Sequence, residues 1–232
     1  MILKIIYTLF ATLLTFFLTA LGSGIVFFFK KINNTILSSC YSTSAGIMFA
    51  ASIFSLLNPA LATKSYLLII LGLLSGTLFI VITEHFFNDR NNLMILAITL
   101  HNIPEGLAIG IAYGLLPIST ATTLALAIGI QNFPEGAAIS LPLRKSGFNR
   151  FKAFLIGSLS AIVEPIFGII GILLAIKLQF LMPLFLSFAA GAMIYVIIKE
   201  LIPESQKNSH KTLMTITFII GFIIMMILDS IF

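Results

Sequence analysis

Charge is nearly missing from this sequence: Asp, Glu, Lys and Arg make up 9% of 232 residues, against 59% hydrophobic residues. That balance excludes a soluble domain, which could not show such a surface to water without large apolar patches. Cysteine is almost absent too. A lone Cys40 excludes an intrachain disulfide framework and a thiolate zinc site, and it leaves the redox compartment open. There is no His-Glu-x-x-His pair, no Gly-x-Ser-x-Gly elbow and no evident nucleophile and base pair, so the familiar hydrolytic machineries are missing. No linker, low-complexity tract or charge block interrupts the chain, and the longest polar connections, 143–151 and 203–211, are short. An added regulatory domain is therefore not expected.

What the chain does have is apolar sequence. Runs long enough to cross roughly 30 Å of hydrocarbon, at about 20 residues each, recur along its whole length. They predict spans near residues 5–29, 36–61, 65–85, 93–115, 119–142, 151–177, 180–201 and 212–231. The expected fold class is all-α, a polytopic transmembrane bundle of eight helices forming a single integral membrane domain over residues 1–232. The first run exceeds the roughly 7 to 15 residues of a signal-peptide core and lacks a small-residue cleavage site before Lys30, so it reads as a retained span.

The formal charge of +5 follows membrane orientation rather than a nucleic-acid partner. With the amino terminus outside, Lys30, Lys31, Arg90, Arg144, Lys145, Arg150, Lys152, Lys199, Lys207 and Lys211 lie at or near cytoplasmic loops, and Lys4, Lys64 and Lys177 lie outside. This asymmetry supports an even number of spans with both termini outside. Tyr7, Tyr41, Tyr66, Tyr113 and Tyr195 fall nearer to predicted ends than middles and read as interfacial anchors.

The informative feature is a short repeat, His101-Asn102-Ile103-Pro104-Glu105-Gly106 in the fourth span and Gln131-Asn132-Phe133-Pro134-Glu135-Gly136 in the fifth. Both copies are polar inside apolar helices. Glu105 precedes the turn between the spans by about 12 residues and Gln131 follows it by about 13, near 18 to 20 Å at 1.5 Å per residue, so antiparallel helices carry the copies to similar depth. On a helix, residues three and four apart share a face, which aims His101, Asn102 and Glu105 toward one point, and Gln131, Asn132 and Glu135 likewise. Pro104 and Pro134 free the carbonyls of Leu100 and Ile130 and bend the helices beside these groups. Freed carbonyls at membrane depth need a cavity, water or an ion.

Glu164, followed by Pro165, adds a third carboxylate at the middle of the sixth span, and no Lys or Arg accompanies the three. Each costs on the order of 3 kcal/mol as an ion at a helix centre, so a divalent cation, protons, or each in turn must compensate them. One imidazole, amide oxygens and carboxylates without thiolate suit borderline to hard divalent ions: zinc, iron, manganese, cobalt or cadmium. Donors outnumber what one tetrahedral ion needs, so two ions bridged by Glu105 and Glu135 are a hypothesis. Gly106, Gly110 and Gly114, with Gly129, Gly136 and Ser140, keep these helices narrow, either as packing notches or as shapers of the site.

At the cytoplasmic end of the seventh span Glu200 and Glu204 share a face beside Lys199 and could relay departing ions, although a salt-bridged helix end is the simpler reading. Glu84, His85, Asp89 and His210 read as solvated loop residues with a lesser claim on metal exit, and Asp229 as a terminal polar residue.

At these residues the chain resembles the ZIP (Zrt/Irt-like) family of divalent metal transporters, in its prokaryotic ZupT-like and GufA-like branches. The two hexapeptides resemble the family's fourth- and fifth-helix motifs, 161–165 (Ala-Ile-Val-Glu-Pro) its sixth, and 187–195 running on to 200–204 its seventh. The resemblance implies eight helices with both termini outside, a binuclear mid-membrane site, and import of zinc or related metals across the cell membrane into the cytoplasm. It also implies His101, Glu105, Gln131 and Glu135 as one site and Asn102, Glu105, Asn132, Glu135 and Glu164 as the other, in a helix group that moves past the rest like an elevator. Two departures stand out. Gln131 occupies a position where many ZupT-like members have His, which weakens strict zinc preference, and the His-rich loop of many members is absent after the third span. No cofactor and no enzymatic activity are expected, and a homodimer is allowed. Within transport, a proton-linked antiporter or a channel is the rival; outside it, an intramembrane metal-dependent hydrolase is the alternative.

Overall fold

The computed structural model describes residues 2–28, 33–86 and 93–231, and of residues 86 and 93–101 it describes the backbone alone. Lys30, Lys31, Asp89 and Arg90 lie outside the described residues, as does the side chain of His101. The described chain is helical with no strand. Eight rods follow one another: α1 Ile2–Phe27, α2 Asn34–Ala62, α3 Tyr66–Phe86, α4 Leu93–Leu115, α5 Ile118–Lys145, α6 Arg150–Lys177, α7 Gln179–Gln206 and α8 Lys211–Ile231. Among the described residues six of these are long and apolar enough to cross a membrane; α5 is not among the six, because its polar motif and its run of Ser and Thr lower its hydropathy.

The predicted spans coincide with the rods because apolar runs stop where polar residues can cap. Asn33 accepts the Thr35 amide at the start of α2, and Asn149 accepts the Lys152 amide at 2.7 Å at the start of α6. Gly147, with φ of 100°, makes the turn between α5 and α6 that a residue with a Cβ would resist. Both α4 and α5 run helically through Pro104 and Pro134. Regular winding is broken elsewhere, by π-helical turns at Ser52–Leu57 in α2 and Ile197–Leu201 in α7 and a 3-10 turn at Ser160–Ile162 in α6.

Four helix pairs dominate the packing: α1 with α5, α2 with α8, α3 with α7 and α4 with α6. Each is drawn together by glycine. A methyl group on Gly136 would stand 2.0 Å from the carbonyl oxygen of Thr19, one on Gly110 2.0 Å from that of Gly168, one on Gly76 2.0 Å from that of Phe188, and one on Gly46 2.0 Å from that of Phe218. Lipid tails offer apolar helices little reason to associate, so close backbone approach through small residues supplies the packing gain. The notches at Gly106, Gly110 and Gly114 all face α6, meeting Glu164, Gly168 and Ala175. Further contacts join α1, α4, α5 and α6 into one group and α2, α3, α7 and α8 into another, and α2–α5 and α4–α7 are the main seams between the groups.

Several sequence readings change here. Tyr41, Tyr113 and Tyr195 are not simple interfacial anchors: their hydroxyls bond the Ala138 carbonyl (2.9 Å), Thr122 (3.0 Å) and the Glu84 carboxylate (3.1 Å), since a phenol inside a bundle must find a partner. Glu84 is not a solvated loop residue, because Lys199 of α7 pairs with it across the α3–α7 seam. Asp229 accepts the Ser55 hydroxyl at 2.9 Å and so ties α8 to the π-turn of α2.

Candidate metal centre

Asn102 and Glu105 of α4, Gln131, Asn132 and Glu135 of α5, and Glu164 of α6 are all buried, none more than 3% exposed. Their placement follows from local sequence. The 3-10 turn at Ser160–Ile162 lets a fresh helical segment begin at Val163, so Glu164 falls in its first turn, where the helix dipole favours a carboxylate. Pro165 is tolerated there because the amides of a first turn have no intrahelical acceptor. Gly106 then lets α4 approach so closely that an added methyl would meet the Glu164 carbonyl oxygen at 2.5 Å. The Gly106 turn of α4 is thereby packed on the Glu164 backbone of α6.

Amides of α5 bind the carboxylates of its two neighbours. Gln131 Nε2 donates to Glu105 Oε1 at 2.5 Å, and Asn132 Nδ2 donates to Glu164 Oε1 at 2.9 Å. One cross-helix contact therefore forms within each of the two expected ligand sets. With their amino ends so engaged, Gln131 Oε1 and Asn132 Oδ1 are buried without a hydrogen-bond partner, and so are both polar atoms of the Asn102 side chain. A buried amide oxygen left without a donor costs about 1–3 kcal/mol. The Gln131 and Asn132 oxygens, each on an amide bonded to a carboxylate, suit a divalent cation of the borderline to hard class. Among the described residues no three His, Cys, Asp or Glu side chains form a metal-holding group by themselves.

Sequence reasoning missed one wall of this centre. Thr8, Thr12, Thr15, Thr19 and Ser23 form a buried stripe along α1, and Thr15 reaches the site: its hydroxyl bonds Glu164 and its carbonyl oxygen accepts from Asn132 Nδ2 at 3.4 Å. The signal was present as hydroxyl residues three and four apart on one helix face. From α2, the Ser44 hydroxyl donates to the Gln131 backbone carbonyl oxygen at 3.3 Å.

Toward the basic-loop end a cavity of about 610 Å³ opens between α2, α5 and α7, lined by Ser38, Tyr41, Pro142, Lys145, Glu204 and Lys207 among others. Tyr41 lies within electrostatic reach of Glu204, Glu135 and Glu200. Of the three exit candidates only Glu204 lines this vestibule, where it pairs with Lys207. Glu200 lies half-buried in the π-helical turn at Ile197–Leu201, and His210 is exposed beyond the helix end.

The pattern of the family described as ZIP Zinc transporter matches residues 87–229. "Zinc transporter ZIP11" of Xenopus tropicalis is 34% identical with 97% of each chain covered. "Zinc transporter ZIPB" of Bordetella bronchiseptica is 31% identical over 91% of this chain and 77% of its own. The human "Zinc transporter ZIP11" is 48% identical over 60% of this chain, a stretch that makes up 43% of its own length. Buried motifs on α4, α5 and α6, a helical membrane bundle and these matches lead to one statement: the chain belongs to the ZIP zinc transporter family.

Proposed function

We propose that this protein carries divalent transition-metal ions, zinc foremost, across the cell membrane into the cytoplasm through a mid-membrane site built by His101, Asn102, Glu105, Gln131, Asn132, Glu135 and Glu164. The observation that carries the reading is the set of buried amide oxygens without donors on the helices that bury three carboxylates. Two ions bridged by Glu105 and Glu135 fit a donor set this large, and Gln131 in place of an imidazole softens the preference for zinc over iron, manganese, cobalt or cadmium. Inward release past Tyr41 to the Glu204 vestibule supports an orientation with the basic loops cytoplasmic. The division into two helix groups supports a movement of α1, α4, α5 and α6 against the others. The family relationship speaks for a carrier rather than a hydrolase.

The test is the initial rate of radioactive zinc entry into proteoliposomes, with unlabelled iron, manganese, cobalt and cadmium as competitors. Saturable entry above that of empty vesicles is expected, with each competitor slowing it in proportion to its affinity. Entry equal to empty vesicles, from protein verified as folded, would refute the proposal.

A further inference from the structure

The buried stripe on α1 has a function that its position alone does not reveal. Most of its hydroxyls satisfy themselves: Thr8 donates to the Lys4 carbonyl at 2.9 Å, Thr12 to the Thr8 carbonyl at 2.9 Å and Thr19 to the Thr15 carbonyl at 3.2 Å. Such back-bonding is the ordinary fate of threonine in a helix. Thr15 differs, because its hydroxyl lies against both the Thr12 carbonyl oxygen, at 2.9 Å, and Glu164 Oε2. It has one hydrogen to give, and a carboxylate is the stronger acceptor, since bonds to charged acceptors are about twice as strong as neutral ones.

Thr15 also holds a second group. Asn132 Nδ2 spends one hydrogen on Glu164 Oε1 at 2.9 Å and the other on the Thr15 carbonyl oxygen at 3.4 Å. The three residues close a ring across α1, α5 and α6: the Thr15 hydroxyl meets one oxygen of the carboxylate, the Asn132 amide meets the other, and that amide is fixed by Thr15. The ring leaves Asn132 Oδ1 without a donor. Thr15 is itself rigidly seated, because one turn further along α1 the Thr19 carbonyl oxygen packs against Gly136.

We infer that Thr15 is a positioning residue for the metal centre, setting the rotamers of Glu164 and Asn132 so that the Asn132 carbonyl oxygen is presented to the ion. The inference rests on the reading of Glu164 and Asn132 as metal donors. Valine matches threonine in shape but lacks the hydroxyl, whereas serine keeps it.

Zinc titration calorimetry on the purified full chain tests this, using Thr15→Val, Thr15→Ser and Glu164→Gln, with Thr15→Val also made in the Glu164→Gln background. Loss of one charge-assisted bond predicts about tenfold weaker zinc binding in Thr15→Val, with Thr15→Ser restoring it to within about threefold. In the Glu164→Gln background the valine should add less than about twofold, because the two groups act as a unit. Should Thr15→Val not fold, Thr15→Ala takes its place with the same expectation. Wild-type affinity in Thr15→Val alongside a weakened Glu164→Gln would overturn the positioning role alone. So would an equal loss in both backgrounds, which marks a general packing defect. Undiminished affinity in Glu164→Gln would overturn the donor reading of Glu164, and this inference with it.

Discussion

Replacing Glu105 and Glu135 together by glutamine, which keeps an acceptor for the Gln131 amide, is expected to slow zinc entry into proteoliposomes at least about a hundredfold, while the folded protein stays as heat-stable as wild type or becomes more so. The two halves of this expectation share one cause. Both carboxylates are buried, at no more than 3% exposure, in helices whose Lys and Arg residues lie at their ends. A carboxylate at membrane depth costs on the order of 3 kcal/mol, so such groups are held for function at the expense of the fold. Losing a group that merely orients a metal ligand typically costs about 10–100-fold in affinity or activity, so losing two proposed bridging donors should exceed that range. Initial rates of tracer entry give the first half and the thermal midpoint in detergent the second. Entry within a fewfold of wild type would show that the ion passes elsewhere.

The second large effect is structural. Gly110→Val is expected to lower stability by about 3 kcal/mol or more, a fall of about 6–12 °C in thermal midpoint for a chain of this size. Even a methyl there would meet the Gly168 carbonyl oxygen at 2.0 Å and the Ile172 nitrogen at 2.8 Å, backbone atoms that cannot swing aside as a flexible side chain would. The wedge would part α4 from α6 and so separate Glu105 from Glu164, and zinc entry should fall with stability. Gly24→Ala serves as the control, since its added methyl would find nothing nearer than a Phe154 ring carbon at 3.9 Å and should change stability by less than about 0.5 kcal/mol. Equal thermal midpoints for the two variants would refute the close-approach account of the helix pairs.

Much of this molecule was legible in its sequence because a bilayer imposes simple rules. Apolar run length gave the eight rods to within a few residues, and the repeated Asn-x-Pro-Glu pattern singled out the polar groups that α4 and α5 bury together. The glycines of α4 were visible too, but their partners on α6 were not, since notches reveal close approach and not which helix approaches. Thr15 went unnoticed because an intramembrane threonine can satisfy its hydroxyl on its own helix, as Thr12 does, and so its type announces no further role. Lys199 was read beside Glu200 and Glu204, its neighbours in sequence, whereas it pairs with Glu84 on α3, because the packing of α3 against α7 is not written in either helix alone. Tyr41 looked like an anchor near a helix end, and only the packing of α2 against α5 gives its hydroxyl the Ala138 carbonyl and brings it within electrostatic reach of Glu135.

The most direct test of the metal centre is the number of zinc ions held per chain at saturation, determined by equilibrium dialysis of the purified wild type and of Glu164→Ala. The account predicts two ions in the wild type and one in the variant. An unchanged ratio of one in both would contradict the paired site, and folded wild type that holds no zinc would contradict the metal centre altogether.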